Sequence, residues 1–389
     1  MRESGHPRVS GARPRQARRT NTAAVLHLLA QRGPLSRGDL ARELRLNHGS
    51  VSRIIEPLVG SGLVRELPEE PVGRGRPRVP LVLNASGRHA VGVHLGLQRT
   101  TVGLTDLAGR CVRSYAEERD PTDVAATLER AAQLVATAVD AAPSPVVGVG
   151  VTTGGTVDRE HGVVVRNDAL GWDEVPVAAP LQAATGLPTL LDSTVRAQLG
   201  AELAFGAGRG RQSVLYVFVG NVLEAGFADS AGAPESATQG DLGRLLVPTL
   251  TGTGTAPFAR CGTDRALLEA ADRLELKVSG LEDLARLAEH DPGAAALLDG
   301  RCAQIAHVVD VLSDLQHPDL VVLGGGAAPG PHWLQVIRGH LQAIDPARVV
   351  GPRSDSNPLV TAAAGVVVRA FLADGLTRDD EKDAHEISG

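Results

Sequence analysis

The residues best placed to do chemistry lie at the start of a short helix that has one apolar face. That face repeats at helical spacing and consists of Val51, Ile54, Ile55 and Leu58. The remaining positions near the start carry small or hydrogen-bonding side chains, among them His48, Ser50, Ser52 and Arg53. Such side chains at the N-terminus of a helix can contact base edges in the major groove of DNA. The pattern therefore predicts a recognition helix.

Local capping signals position this helix in the chain. Ser36 and Asp39 have the spacing of a capping box, in which the hydroxyl accepts from a backbone N–H and the carboxylate favours the positive end of the helix dipole. Asn47 can cap the recognition helix, and Gly60 and Gly62 end it. We add Ser36, Arg37 and Asn47 to the predicted DNA contacts.

Two extended apolar runs follow the recognition helix, and the arginine- and glycine-rich segment 73–78 separates them. Glycine lets the backbone come close to DNA, and arginine reaches phosphates or a narrow minor groove. Arg74, Arg76 and Arg78 are therefore predicted DNA contacts at the tip of a wing. This order of elements predicts a winged helix-turn-helix domain over residues 20–88, here called the head.

The N-terminal part of the chain differs in net charge from the remainder. Residues 1–88 contain 16 arginines and 7 acidic residues, a balance of +9, whereas residues 89–389 have a balance of −15. A basic end on an acidic protein is typical of a chain that docks one end on phosphates. The charge argues against the alternative, a packing module of three helices that binds no nucleic acid. The predicted partner is double-stranded DNA.

The cysteines and the two chain ends indicate the compartment. Cys111, Cys261 and Cys302 are too few and too scattered for a disulfide framework, which favours a reducing cytoplasm. Residues 1–19 lack the apolar segment of a signal peptide and are predicted to be a disordered basic arm. Residues 374–389 are predicted to be a disordered acidic tail. No apolar run approaches the length of a membrane span, so no membrane partner is expected.

Residues 89–373, here called the body, alternate between strand and helix patterns. Strands are predicted within 91–110, at 146–152, at 213–220 and at 319–326, and helices at 126–142 and 195–208. This alternation is typical of an α/β fold. Two glycine-turned strand pairs, near 91–110 and 213–228, are candidates for related halves.

Six short motifs occur along the chain in a fixed order and with fitting intervals. They are SRGDLAREL, GRGRPRVPLVLN, GGTVD at 154–158, LGW at 170–172, FGAGRG at 205–210 and VVLGGG at 321–326. In these motifs the chain resembles the repressor, open-reading-frame and kinase family, called ROK. The resemblance implies an N-terminal DNA reader followed by an actin-like (ribonuclease-H-like), two-lobed sugar-kinase fold. It covers the chain from residue 19 to about residue 374.

The resemblance also indicates where kinase members of the family keep their catalytic groups. The aspartate of their first phosphate loop corresponds to His94, and Glu224 stands in a second loop that is glycine-rich in the kinases. Their Asn-Asp pair corresponds to Ser193 and Thr194, although a two-residue slip would bring Asp192 into register. Threonine is not a general base at neutral pH. These departures predict that the chain is not an enzyme; the alternative is an active ATP-dependent sugar kinase with an accessory DNA-binding head.

The zinc site that the resemblance implies has also changed. Arg244 takes the place of the family's zinc-binding histidine, and Ala266 stands near the final cysteine position. Cys261 is the one thiol that remains of the four tetrahedral ligands, so we expect it to be a small apolar filler. No metal and no cofactor are predicted.

The positions that bind sugar in the family give a set of candidate ligand residues. The set consists of Asp192, Ser193, Thr194, Asp241, Arg244 and Glu269. An arginine suits a carboxylate or phosphate better than a neutral sugar, so the predicted effector is a sugar, a sugar acid or a sugar phosphate. A cleft without a ligand, in which these residues are only solvated, is the alternative.

These features together predict a cytoplasmic, DNA-binding transcription regulator of the repressor type that acts in carbohydrate metabolism. Two-fold symmetry would let two heads read two half-sites about one helical turn apart, so we expect a homodimer or homotetramer. A body that only dimerises and binds no ligand is a third hypothesis.

Overall fold

The computed structural model describes residues 14–69, 78–118, 123–229, 237–327, 330–352 and 357–374. Within these ranges the helices are α1 (Pro14–Arg32), α2 (Arg37–Leu44), α3 (His48–Gly60), α4 (Val124–Asp140), α5 (Ala178–Thr185), α6 (Thr194–Ala204), α7 (Phe258–Cys261), α8 (Asp264–Arg273), α9 (Leu281–Leu287), α10 (Pro292–Gln316), α11 (Pro331–His340) and α12 (Pro358–Asp374).

The strands are β1 (Leu35–Ser36), β2 (Val64–Glu66), β3 (Pro80–Leu83), β4 (His89–Leu95), β5 (Arg99–Asp106), β6 (Cys111–Glu118), β7 (Val146–Thr153), β8 (Thr156–Asp158), β9 (Val163–Asn167), β10 (Trp172–Pro176), β11 (Thr189–Ser193), β12 (Ser213–Val219), β13 (Leu223–Asp229), β14 (Thr238–Asp241), β15 (Leu246–Pro248), β16 (Thr255–Pro257), β17 (Leu320–Gly325) and β18 (Val349–Val350).

The head is a winged helix-turn-helix in the described residues. Helices α1, α2 and α3 pack on a small antiparallel sheet in the order β1-β3-β2, and β2 with β3 forms the wing. Both predicted caps are present, the capping box of Ser36 with Asp39 and the N-cap of Asn47. The turn between β2 and β3, which contains Arg74 and Arg76, lies outside the described residues.

The start of α1 differs from the sequence prediction for residues 1–19. The helix begins at Pro14 and so includes the last six residues of the predicted disordered arm. Proline is well accommodated in the first helical turn, and the following Gln, Ala and Arg residues favour helix, which explains why the helix starts this early. Residues 1–13 and 375–389, the rest of the predicted arm and tail, lie outside the described residues.

The body consists of two lobes with the same strand order. The first lobe has the sheet β6-β5-β4-β7-β11, and the second has β14-β13-β12-β17-β18. In each sheet a three-stranded antiparallel meander continues into two parallel strands. The two glycine-turned strand pairs of the sequence are therefore equivalent parts of two related halves, as expected for an actin-like fold.

Helix α12 returns from the second lobe and covers the sheet of the first. It comes so close to β4 and β7 that side chains would not fit between them: a Cβ on Gly92 would lie 2.3 Å from the carbonyl oxygen of Val360, and one on Gly150 would lie 1.9 Å from that of Ala363. Two glycines at this contact thus bring the helix backbone directly onto the sheet. None of the helices in the described ranges has the length and apolarity needed to cross a bilayer.

The head and the body share one hydrophobic core. Buried side chains of α1, including Val25 and Leu29, belong to the same cluster as Val368 and Phe371 of α12. A polar contact reinforces this junction, because the hydroxyl of Ser144 in the body donates to the carbonyl oxygen of Ser86 at the end of the head over 3.0 Å. The head is therefore packed on the first lobe and its closing helix.

Candidate DNA-contacting surface and ligand cleft

Helix α3 presents the predicted base-reading residues on the outside of the head. Its apolar stripe is buried, with Val51 and Ile55 fully inaccessible to solvent. His48 and Arg53 are exposed, and Ser50 and Ser52 are half-buried. The outward face therefore carries an imidazole, a guanidinium and two hydroxyls, as a surface that contacts base edges requires.

The side chains of Ser36 and Asn47 cap their helices as predicted, and their contact with DNA stays a prediction. The Oγ of Ser36 accepts from the N–H of Asp39, and the Oδ1 of Asn47 accepts from the N–H of Ser50 over 2.8 Å. Each oxygen is thus engaged in holding a helix start. The two helix starts lie close together, because a Cβ on Gly38 would be 3.9 Å from the His48 ring. Backbone N–H groups at adjacent helix N-termini are suited to bind DNA phosphates.

The predicted arginine contacts divide into three groups. Arg37 forms an ion pair with Glu66 of the wing over 2.7 Å, so its guanidinium links α2 to β2. Arg78 is exposed just before β3. Arg74 and Arg76 lie outside the described residues, and their contact with DNA remains a prediction.

A cleft between the two lobes contains a cavity of about 620 Å³. The first lobe contributes residues after β4 and around β8, among them Gly155. The second lobe contributes β13 and β14, including Glu224, Gln239 and Asp241. Thr194, at the start of α6, forms part of the wall. A volume of this size holds a small polar molecule such as a sugar.

The structure brings together some of the six predicted ligand residues and separates the others. Thr194 and Asp241 line the cavity, and Ser193 lies behind it with its hydroxyl bonded to the amide oxygen of Gln239. Arg244 and Glu269 are exposed and are not among the lining residues; Glu269 instead pairs with Arg265 on α8 over 3.4 Å. The sequence placed these two in the cleft because the family alignment fixed positions but not side-chain directions.

Asp192 lies in a buried ion-pair cluster rather than on the cavity wall. Its carboxylate is within 3.4 Å of Arg159 and 3.5 Å of Arg196, and it accepts from the N–H of Ser193 over 2.8 Å. The side chain is 4% exposed. Two guanidinium groups thus flank this carboxylate, in a position where it supports the end of β11.

Thr194 contributes a buried hydroxyl to the wall of the cavity. The residue is 8% exposed, and its Oγ1 has no hydrogen-bond partner among the described residues. A buried hydroxyl without a partner is costly, and a ligand hydroxyl in the cavity would satisfy it. Gln239, which the sequence analysis did not single out, also lines the cavity next to Ser193. It escaped notice because no family motif includes it.

Glu224 links the two lobes across the cavity. Burial raises the pKa of Glu224 to about 7; the backbone N–H of Gly155 opposes this shift by donating to the carboxylate, and the charge of Asp241 adds to it. Glu224 and Asp241 lie directly opposite each other in the β13–β14 pair. Two carboxylates at such positions repel each other, so the charge of Asp241 favours the protonated form of Glu224.

The groups that would perform phosphoryl transfer are absent from the described cleft residues. His94 takes the place of the metal-organising carboxylate, and its Nδ1 lies 3.2 Å from the hydroxyl of Thr152. The carboxylate of Asp264 approaches Gly326, with an oxygen 3.0 Å from the position of a Cβ there, and it pairs with the fully buried Arg301. Glu224 and Asp264 thus place carboxyl groups beside the glycine turns that correspond to the phosphate loops of the kinases.

The remaining zinc-site residues are also dispersed. Cys261 is half-buried beside the amide of Gln304, 3.3 Å from its Nε2, and burial raises the pKa of its thiol. No group of three histidine, cysteine or acidic side chains within the described ranges is placed to hold a metal ion.

Comparison with known protein families gives one match for the body and one for the head. The sequence pattern of the ROK family matches residues 90–352, and that of the MarR family matches residues 19–75. This chain belongs to the ROK family. A transcriptional regulator of Mycobacterium tuberculosis is 30% identical over 381 residues, covering 89% of this chain and 84% of its relative. The DNA-binding transcriptional repressor Mlc of Escherichia coli is 29% identical over 220 residues, covering 54% of this chain and 53% of Mlc.

Solved ROK structures share the fold of the body, and one of them, a regulator, also matches the head. A ROK transcriptional regulator homologous to Mlc superposes with a TM-score of 0.76 at 22% identity, covering 92% of this chain and 98% of that one. A ROK glucokinase of Streptomyces griseus superposes with a TM-score of 0.59 at 21% identity. The match covers 72% of this chain and 98% of the glucokinase chain. The kinase lacks a counterpart for about a quarter of this chain, whereas the regulator covers nearly all of it. The regulatory role follows from the sequence relatives, because the relatives reported above are transcriptional regulators, and this chain is a transcriptional regulator of the ROK family.

Proposed function

We propose that this ROK protein is a cytoplasmic transcriptional repressor that binds an operator through its head and responds to a sugar in its cleft. The observation that carries the proposal is the exposed face of α3, where His48 and Arg53 point outward from a firmly capped helix. The basic balance of residues 1–88 supplies the attraction to phosphates. The three free cysteines agree with a reducing compartment.

A single head covers only one short half-site, so the repressor acts as a homodimer or homotetramer. Two heads related by a two-fold axis would place two copies of α3 in successive major grooves, about one helical turn apart. The operator is then an inverted repeat.

The cleft favours a neutral sugar among the three predicted effector classes. The expectation of an anionic effector depended on Arg244, which is exposed and does not line the cavity. The cavity instead presents Glu224 and Asp241, and the one arginine among its described lining residues, Arg166, is paired with Asp168 over 2.7 Å. A phosphate or carboxylate would meet negative charge there, whereas sugar hydroxyls can donate to carboxylates and accept from the unpartnered Thr194.

The DNA function is tested by separating sequence-specific from nonspecific binding. A bidentate arginine–guanine contact contributes about 1–3 kcal/mol of discrimination. Replacing Arg53 with alanine should therefore weaken binding to an operator selected from random DNA about tenfold or more. It should change binding to a scrambled duplex far less. Arg110→Ala, an exposed arginine on the body, is the control. Equal losses on both duplexes would assign Arg53 to the phosphates.

The ligand function is tested by thermal shift with matched panels of sugars, sugar acids and sugar phosphates. A ligand that binds only the folded state must raise the unfolding midpoint. We expect a neutral sugar to do so, and Thr194→Val, which keeps the side-chain shape, to reduce the shift. Thr185→Val is the control, because its hydroxyl bonds to the carbonyl oxygen of Leu181 away from the cavity. A shift produced only by anionic ligands would contradict the proposed effector class.

A further inference from the structure

A second cavity, of about 490 Å³, lies where the head meets the body. One wall is the side of α1, with Ala23 and Ala24. The opposite wall is formed by the first lobe, α6 and α12, with Leu203 and Leu372 among its apolar residues. This site is separate from the sugar cleft, since the two cavities have no lining residue in common.

The charged side chains that line this junction cavity are two arginines, since burial lowers the pKa of the lining His27. His27, Arg159 and Arg369 line it, together with the amide of Gln31. No acidic side chain is among its described lining residues. Arg159 is in ion-pair contact with the buried Asp192, which lies behind the wall. An apolar cavity whose charged lining groups are all basic complements a molecule with an apolar part and one carboxylate.

Two glycines leave space for the guanidinium of Arg369 in the wall of the junction cavity. A Cβ on Gly200 of α6 would lie 2.5 Å from its Cζ and Nη1, and one on Gly365 would lie 3.3 Å from Nη1. Neither glycine has a positive φ, so each could otherwise be an alanine at no conformational cost. The two glycines therefore make room for the guanidinium against two helices.

We infer that the junction cavity is a second effector site for an amphipathic carboxylate, a small molecule with a hydrocarbon or aromatic part and one carboxyl group. The apolar walls would take the apolar part, and Arg369 would hold the carboxylate. Because α1 of the head forms one wall, a bound molecule stabilises the head in its present position on the body. By linkage it must change the affinity of the head for DNA if DNA binding moves the head. That last step rests on the proposed DNA function, whereas binding to the cavity does not.

Binding is tested first, without DNA, by titration calorimetry of the full chain with decanoate below its micelle concentration. Decanol and decylamine are the uncharged and cationic probes of the same length. We expect one decanoate per chain, with decanol at least about tenfold weaker because it cannot form a charge-assisted hydrogen bond. Equal binding of decanoate and decylamine, or several decanoates per chain, would indicate nonspecific adsorption and overturn the assignment.

Three variants locate the site. Gly200→Ala displaces the guanidinium while favouring helix, and Ala204→Phe fills the cavity; both should weaken decanoate binding about tenfold or more. Ala132→Phe, on the partly buried face of α4, is the control for an added ring and should bind as the wild type does. If Gly200→Ala and Ala204→Phe bind decanoate normally, the molecule lies elsewhere.

The oligomeric state tests the alternative that a second copy of the chain, and not a small molecule, covers the junction cavity. If decanoate or Ala204→Phe splits the oligomer, measured by light scattering, then a second copy of the chain covers the cavity and the small-molecule assignment is wrong. An unchanged mass supports it. Finally, saturating decanoate should change the dissociation constant for operator DNA by about fivefold or more. Stoichiometric decanoate binding with unchanged DNA affinity would overturn the coupling. Absence of DNA binding both with and without decanoate would overturn the proposed function alone.

Discussion

The guanidinium of Arg209 in the body donates to the backbone carbonyl oxygen of Ala30 in the head over 2.9 Å, and also to that of Gln31. These carbonyls belong to the last turn of α1, where no intrahelical N–H is available to them. An arginine of the FGAGRG motif therefore caps a helix of the DNA-binding head. This contact ties the position of the head directly to a loop of the body.

Replacing Arg209 with alanine should loosen the end of α1 with little effect on the stability of the whole protein. Arg209 is exposed, so we expect the free energy of unfolding to fall by no more than about 1 kcal/mol. Amide hydrogen exchange in the last turn of α1 should become faster. Arg211→Ala, in the same loop, is the control. Unchanged exchange in the Arg209 variant would mean that the head is held by its apolar contacts alone.

The wing arginines should act through charge. Replacing Arg74 and Arg76 together with alanine should weaken binding to operator and scrambled DNA alike. The slope of log affinity against log salt should fall by about one for each arginine–phosphate interaction that the substitutions remove. Binding to both duplexes across a salt series measures this. A slope equal to that of the wild type would show that the segment 73–78 does not contact DNA.

ATP-dependent phosphorylation of sugars should be undetectable. The cleft lacks a general base at Thr194, and Glu224 with Asp264 places acidic groups where phosphates would bind. A coupled assay with ATP and a panel of hexoses measures turnover, with an authentic hexokinase as positive control. Turnover that Asp192→Ala abolishes would establish the chain as a working kinase and reverse this conclusion.

Glu224 should make stability depend on pH between its unfolded pKa of 4.5 and its folded pKa of about 7. Burial raises its pKa in the folded protein from 4.5 to about 7, so the folded state binds this proton more tightly than the unfolded chain does. The resulting stabilisation is fully present below the unfolded pKa and disappears as pH rises through the folded pKa. Glu224→Gln keeps an acceptor for the N–H of Gly155 and should flatten this profile, gaining roughly 1–3 kcal/mol at pH 8 relative to the wild type.

Urea unfolding at several pH values measures the Glu224 effect. The exposed Glu269 provides the matched control, because Glu269→Gln removes a carboxylate in contact with solvent. If the Glu224 and Glu269 variants have the same pH profile as the wild type, then Glu224 is ionised in the folded protein at neutral pH.

Purified protein should contain well below one zinc ion per chain. Arg244 is exposed at the position where the family has a histidine, and Cys261 contacts Gln304 instead of a metal-binding side chain. Elemental analysis after dialysis checks the ratio. One tightly held zinc ion per chain would mean that the alignment of Arg244 and Cys261 with the zinc ligands is wrong.

The sequence by itself determined the local structure and its order. The capping box at Ser36, the N-cap at Asn47 and the buried stripe of α3 follow from interactions between residues three or four apart, which a sequence displays directly. The charge of the head and the alternation of strands and helices are likewise properties of the chain alone. Together with the family motifs, they indicated the fold class and the regulatory role.

Only the tertiary structure decided which distant residues meet. Arg209 lies 179 residues from Ala30, Glu224 reaches Gly155 across the two lobes, and Arg369 lies in a space left by Gly200. Such pairs leave no periodic trace in the sequence, because their separation along the chain is set by the path of the fold.

Side-chain direction was the other property that the sequence did not contain. The alignment placed Thr194 and Arg244 in one cleft, yet Thr194 lines the cavity and Arg244 faces solvent. A position in a motif fixes where a backbone segment runs, whereas the direction of its side chain depends on the twist of the strand and the packing around it. The chemistry of the cleft, and with it the proposed effector, therefore depended on the folded structure.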